Sequence, residues 1–344
     1  MALLKLINCL GGVIDEAIKS LIAFAISKQC DFNSSLSRWA NHMEKSVATF
    51  GRHALPILWD WGEIVPISDA TGSFLVAINW IIEILEKTRA FLNNHGQVII
   101  ADACSSPLPG YSVNVWFTDP PYYDAIPYSD LSDFFFVWLK RALPTNSLMI
   151  DPFDNRNLLT PKALEIVQDS TKDFDGNPKD RTFFENRIEL AFRDGRRVLK
   201  DDGIGSVIFA HKTTEGWEAF LSGISNGGWV ITASWPISTE KPHRMRAFES
   251  AALGSSIHLV CRPRPPEAGV GDWAEVKAEM EARVRAWIKR LQEEGIRGAD
   301  ALFACIGPAM EVYSRYDRVE TPAGHRRVPG GPAPGAGRGR HRGL

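Results

Sequence analysis

Apolar residues recur at helical spacing from about Val13 to Lys28, with Ile14, Ala17, Leu21 and Ala25 on one face, and predict a first helix. Asn33-Ser34-Ser35 is a candidate cap for a second helix starting near Leu36. Pro56 and Pro66 break the pattern around Trp59 and Trp61, and Phe74 to Leu92 reads as a further helix, ended near Asn93-Asn94-His95-Gly96. After Gly96 the period changes. Gln97-Val98-Ile99-Ile100-Ala101 predicts a short strand ending at Asp102, and Val113 to Thr118 predicts another.

Leu131 to Arg141 predicts an aromatic-rich helix, with Phe134, Phe135, Phe136 and Trp138 as a packing face. Pro144 to Asp180 is polar and reads as a long excursion from the sheet. Thr182 to Leu199 is helical in spacing, Gly205 to Ala210 reads as a buried strand, and Trp217 to Ser222 as a helix. Trp229 to Pro236 and Ser256 to Cys261 read as two closing strands. Pro263 to Gly271 is a linker. Asp272 is placed to cap a helix from Trp273 to Glu294, and a last helix is expected from Asp300 to Arg315. From Pro329 onward the chain has almost nothing to bury and is expected to be disordered. The domains predicted are a helical segment over 1–95, a sheet-bearing region over 96–262, C-terminal helices over 272–316 and a basic Pro/Gly-rich tail over 325–344.

Composition narrows the function classes. The net charge is −2, so any nucleic-acid contact must come from local basic patches. The five cysteines form no Cys-x-x-Cys pair, which argues against a zinc ribbon, and no metal site is expected. The short apolar run from Leu21 to Ile26 follows Asp15, Glu16 and Lys19 and reads as amphipathic rather than membrane-spanning. No secretory signal is apparent, and a cytoplasmic protein with free thiols is expected.

The chemistry concentrates at Asp119-Pro120-Pro121-Tyr122-Tyr123, which follows the apolar run 113–118. Two prolines cannot donate to a sheet ladder, so the strand must stop, and the residue before each is pushed toward extended geometry. A stiff loop at the carboxyl end of a strand is where open α/β sheets place their chemistry. This one offers a carboxylate, the Pro120 carbonyl and an aromatic face, which suit a flat ring bearing an exocyclic amine. A plainer role for Asp119 is as a cap for the following turn. The loop holds no cysteine, which argues against covalent attack on a ring carbon.

The motif resembles the catalytic loop of the amino-methyltransferases, which move a methyl group from S-adenosylmethionine to adenine N6 or cytosine N4. The longer run from Asp119 to Arg141 is similar to the large adenine-specific DNA methylases that carry an extra N-terminal domain. The likeness extends from about Asn33 to about Glu320, through Asn33 to Trp39, Trp59-Asp60, Ile204 to Lys212 and Ser255 to Arg262. It implies an α/β fold: part of a Rossmann-like methyltransferase sheet, mostly parallel with an antiparallel closing strand, plus flanking helices. It implies Asp119, Pro120, Pro121 and Tyr122 as catalytic residues, with Asp119 and the Pro120 carbonyl accepting from the amine and Tyr122 stacking on an extruded base. It implies S-adenosylmethionine as cofactor, held by Asp102, Ala103, Asp119 and Tyr123, and DNA as partner. Asp102 is alternatively an ordinary turn aspartate.

Tyr123, Asp124 and Tyr128, just past the motif, are placed to line the base pocket or the cofactor's methionine end. His211, Lys212, Lys241, Arg244 and Arg246 are candidate phosphate contacts or, equally, solvated surface. The glycine-rich turn that such an enzyme needs after its first strand is missing from this sequence, which therefore resembles the C-terminal part of the family. A partner chain supplying the other half is expected, or else an N-terminal segment covering the gap. A non-catalytic nucleic-acid- or partner-binding remnant and an RNA amino-methyltransferase are the competing readings.

Overall fold

The computed structural model describes residues 2–51, 55, 57–91, 96–238, 255–296, 298, 301, 304–322 and 326–327. The chain divides into two compact units, one made of Met1–Ile100 with Ile126–Glu165, the other of Ala101–Ala125 with Ile166–Leu344. The division differs from the 1–95 and 96–262 boundaries read from the sequence: the segment after the proline loop groups with the N-terminal helices, not with the sheet.

The first unit is mainly helical. Helices α1 (Ala2–Leu10), α2 (Glu16–Phe32), α3 (Phe74–Thr88) and α4 (Tyr128–Ala142) surround a small core of Leu10, Ala23, Ile26, Ala142 and Leu143. The Asp15 carboxylate caps α2 by accepting from the Ala17 and Ile18 N–H groups. Asn33 ends this helix instead of opening another, because its side-chain amide donates back to the Gln29 carbonyl and across to Gly72. The helix expected near Leu36 is therefore replaced by a hairpin, β1 (Arg38–Ala40) with β2 (Lys45–Val47), in antiparallel register.

The second unit holds a four-stranded sheet in the order β3 (Val113–Thr118), β6 (Leu199–Phe209), β8 (Ser255–Pro263), β7 (Trp229–Ser238). β3 pairs parallel with β6, and β8 runs antiparallel between β6 and β7. Three strands thus share one direction and β8 opposes them. The remaining strands are the hairpin β4 (Asp169–Phe174) with β5 (Asn177–Lys179), then β9 (Val270–Asp272), β10 (Arg318–Glu320) and β11 (Arg326–Arg327). The β4–β5 turn has Asp175 and Gly176 at φ of 52° and 76°, the mirror-image turn geometry that an Asp-Gly pair favours.

Helices α5 (Arg181–Val198) and α6 (Thr214–Asn226) pack on the face of the sheet that carries Val207 and Phe209. Trp116 stacks on Trp229 at 5.2 Å and meets the edge of Phe192, and Gly195 on α5 leaves the space that the Trp116 ring occupies. Helices α7 (Trp273–Glu293) and α8 (Ile306–Tyr313) follow, α7 capped by Asp272 as the sequence predicts.

One expected strand is not formed. Residues 96–102 carry no sheet pairing, and Val98, Ile99 and Ile100 are 86%, 59% and 45% exposed. A β-branched run becomes a strand only where a neighbour accepts its backbone hydrogen bonds, and none is present among the described residues. β3 is accordingly an edge strand, and its Val115 and Phe117 are 59% and 60% exposed. The basic loop with Lys241, Arg244 and Arg246, and nearly all of the 325–344 tail, lie outside the described residues. Among the described residues no helix is long and apolar enough to cross a membrane.

Candidate functional site

β3 delivers Asp119 to the end of the sheet, and Pro120-Pro121 stop the strand there. The Asp119 carboxylate is exposed while Pro120 is buried, so the loop is anchored by its second residue and presents its first. The Tyr122 hydroxyl donates to Asp119 Oδ1 at 2.7 Å. The Tyr122 ring is half-buried and meets Phe209 edge-on at 5.6 Å. The Pro121 carbonyl accepts from the Tyr123 N–H at 3.1 Å and the Tyr122 carbonyl from the Ala125 N–H at 3.0 Å. Among the described residues no such turn bond ends on the Pro120 carbonyl, which the sequence reading assigned to the amine.

Tyr123 is the residue on which the loop turns inward. Its φ is 56°, a left-handed conformation that costs a non-glycine residue roughly 1–2 kcal/mol. Surrounding contacts hold it there. Its ring is buried, edge-on to both Phe184 and His211, its hydroxyl donates to Glu215 at 3.2 Å, and its carbonyl accepts from the Gln168 N–H at 3.0 Å. Burial and then the Glu215 carboxylate push the Tyr123 phenol up to about 12, so it stays a hydrogen-bond donor. A ring buried in this way packs the loop from beneath. The structure gives Tyr123 a packing role, where the resemblance implies a cofactor contact.

His211 likewise departs from expectation. It follows β6, as predicted, but is only 5% exposed. Its Nε2 lies 3.0 Å from Asp124 Oδ1 and its Nδ1 lies 3.2 Å from the Thr213 nitrogen. The ring is enclosed, with both nitrogens hydrogen-bonded inside the unit, whereas the sequence reading offered it to phosphate. Lys212, the next residue, is exposed.

Asp102 and Ala103 lie in the segment that runs beside α5. Ala103 is exposed. Asp102 is half-buried, and Arg187 Nη2 donates to both its oxygens at 2.9 Å while the Cys104 N–H donates to Oδ1 at 2.9 Å. Burial raises the Asp102 carboxyl, but the Cys104 N–H and the Arg187 guanidinium outweigh it and hold the group below the usual carboxylate range. The carboxylate that the resemblance gives to a cofactor amine is thus paired with an arginine of its own unit. Cys104 itself is pushed up to about 12, chiefly by burial, and is no nucleophile at neutral pH.

Tyr128 opens α4 and belongs to the first unit, where it lines a cleft of about 310 Å³ with Asp31, Phe50, Leu131, Ser132 and Phe135. Sequence reasoning missed Arg187, Thr213 and Glu215 as partners, and placed Asp124 beside the motif without its bond to His211. Only Thr213 carried a local signal: a hydroxyl three residues before Gly216, whose N–H it caps at 3.3 Å. No family model matches the chain, and no curated protein matches it.

Proposed function

We propose that this chain is the base-holding half of an S-adenosylmethionine-dependent methyltransferase acting on adenine N6 in DNA. The observation that carries the reading is an exposed Asp119 carboxylate at the carboxyl end of a parallel strand, on a loop made rigid by two prolines and an over-determined Tyr123. The N6 lone pair of adenine is delocalised into the ring. Acceptors for its two N–H bonds favour a pyramidal nitrogen whose lone pair can attack a methyl sulfonium. Asp119 supplies one acceptor and the Pro120 carbonyl the other. Catalysis then rests on orienting the amine rather than on a covalent nucleophile. The sheet order, with one antiparallel strand inserted next to the strand after the loop, supports the Rossmann-like comparison.

In this reading the site of the methyl donor is completed from outside the chain. Asp102 already accepts from Arg187 and from the Cys104 N–H, and no described strand opens into a glycine-paired turn. The chain's own part is to bind and present the base, and a partner chain carrying the glycine-rich half supplies the cofactor site. The unpaired edge of β3 and its exposed Val115 and Phe117 support such an addition.

Fluorescence of 2-aminopurine placed beside a mispaired adenine in duplex DNA tests the base-holding role. It should rise when the chain binds and extrudes the adenine, and the rise should be lost in Asp119→Ala. Binding with no rise in the unsubstituted chain would reject base extrusion.

A further inference from the structure

The contacts of His211 define which ring nitrogen donates and which accepts. The Thr213 backbone N–H, 3.2 Å from Nδ1, can only donate, so Nδ1 presents a lone pair. The Thr213 hydroxyl, 3.0 Å away, accepts from the Gly216 N–H and turns its own hydrogen to the same Nδ1. The Thr213 carbonyl stands further off, at 3.5 Å. The ring proton therefore sits on Nε2 and is donated to Asp124 Oδ1 at 3.0 Å. Neighbouring groups fix the ring itself. A Cβ on Gly216 would collide with it, Tyr123 lies edge-on at 5.5 Å, and the His211 carbonyl is held by the Trp217 indole N–H at 2.9 Å. His211 thus ties the end of β6 and the start of α6 to the two residues that end the candidate loop, Tyr123 and Asp124.

We propose that His211, as the neutral Nε2–H tautomer, is the positioning residue that aims Asp119: its bond to Asp124 locks the proline loop against the strand–helix junction behind it. This rests on the base-holding reading of the loop, but its structural half is separately measurable. His211 touches no substrate. Its effect passes through Asp124 and the left-handed Tyr123 to the Asp119-Pro120-Pro121-Tyr122 corner.

The test compares His211→Gln, whose longer amide can still donate to Asp124, with His211→Asn, whose shorter amide cannot. Amide hydrogen exchange of Tyr123 and Ala125, the two N–H groups bonded within the loop, is the readout in the full chain. Their protection should fall about tenfold in His211→Asn and stay near the original in His211→Gln, with sheet amides such as Val207 unchanged in both. Imidazole ¹⁵N spectra of the unsubstituted protein should show the Nε2–H tautomer. Asp124→Ala removes the acceptor from an exposed side chain, so it spares the core that the histidine variants disturb, and it should lower the same protection. Equal protection in all variants, or an Nδ1–H tautomer, would overturn the proposal. In methyl transfer, His211→Asn should lower kcat and leave KM for DNA unchanged. A chain with the expected exchange pattern but no base extrusion would retain this clamp and lose the proposed function.

Discussion

The Tyr122 hydroxyl donates to the Asp119 carboxylate at 2.7 Å, so the two side chains of the corner that would meet a base are already joined before one arrives. The bond places the carboxylate and uses only part of its accepting capacity, since an ionised carboxylate offers about four lone-pair sites. Tyr122→Phe should therefore lower base extrusion or methyl transfer by less than tenfold, because the aromatic face remains. Asp119→Asn keeps the shape of the side chain but removes its charge and one acceptor oxygen. It should cost on the order of 100-fold or more, comparable to losing one preorganised polar group from a reacting centre. Parallel rate measurements on the two variants check this order.

The Asp102–Arg187 pair makes a pH prediction. The folded Asp102 carboxyl titrates below its unfolded value, so the unfolded chain binds the proton more readily and the pair's stabilisation is fully present above the ordinary carboxylate range. That stabilisation is lost as pH falls through the depressed folded value. Asp102→Asn should lower stability at neutral pH by about 1–2 kcal/mol, and the difference from the unsubstituted chain should shrink on acidification. Urea midpoints between neutral and acidic pH measure both parts.

Gly195 faces the Trp116 ring across the α5–β3 contact, and an added Cβ would overlap it. Gly195→Ala is helix-favouring in isolation, yet here it should destabilise by about 1–3 kcal/mol through overpacking. A thermal or urea melt decides the sign.

Much of this arrangement was legible in the chain. The strand ending in two prolines, the helices of residues 181–198 and 273–293 and the closing strands stand where periodicity put them, because each is set by local pattern and burial on one face. The failures share a cause. Val98-Ile99-Ile100 has strand composition but no neighbour to pair with among the described residues, and Asn33 ends a helix because its amide meets the Gly72 carbonyl, 39 positions away. At the site, Asp119 could be read directly. Asp124–His211 and Asp102–Arg187 could not, since they join residues 87 and 85 positions apart. The Asp175-Gly176 hairpin turn was present in the sequence and was passed over as part of a polar excursion.

The open edge of β3 predicts association. Phe117→Lys places a charge beside an unpaired strand edge and removes exposed apolar surface. Light scattering should show the unsubstituted chain self-associating or capturing the glycine-rich partner, and the variant doing so less. A fully monodisperse monomer that ignores that partner would remove the argument for a second half.

The most direct test is transfer of a labelled methyl group from S-adenosylmethionine to DNA by the chain together with a polypeptide that carries a glycine-rich methyltransferase half. The account predicts N6-methyladenine with the unsubstituted chain and none with Asp119→Ala. Methylation that survives the loss of Asp119, or label appearing on any group other than the adenine amine, would contradict it.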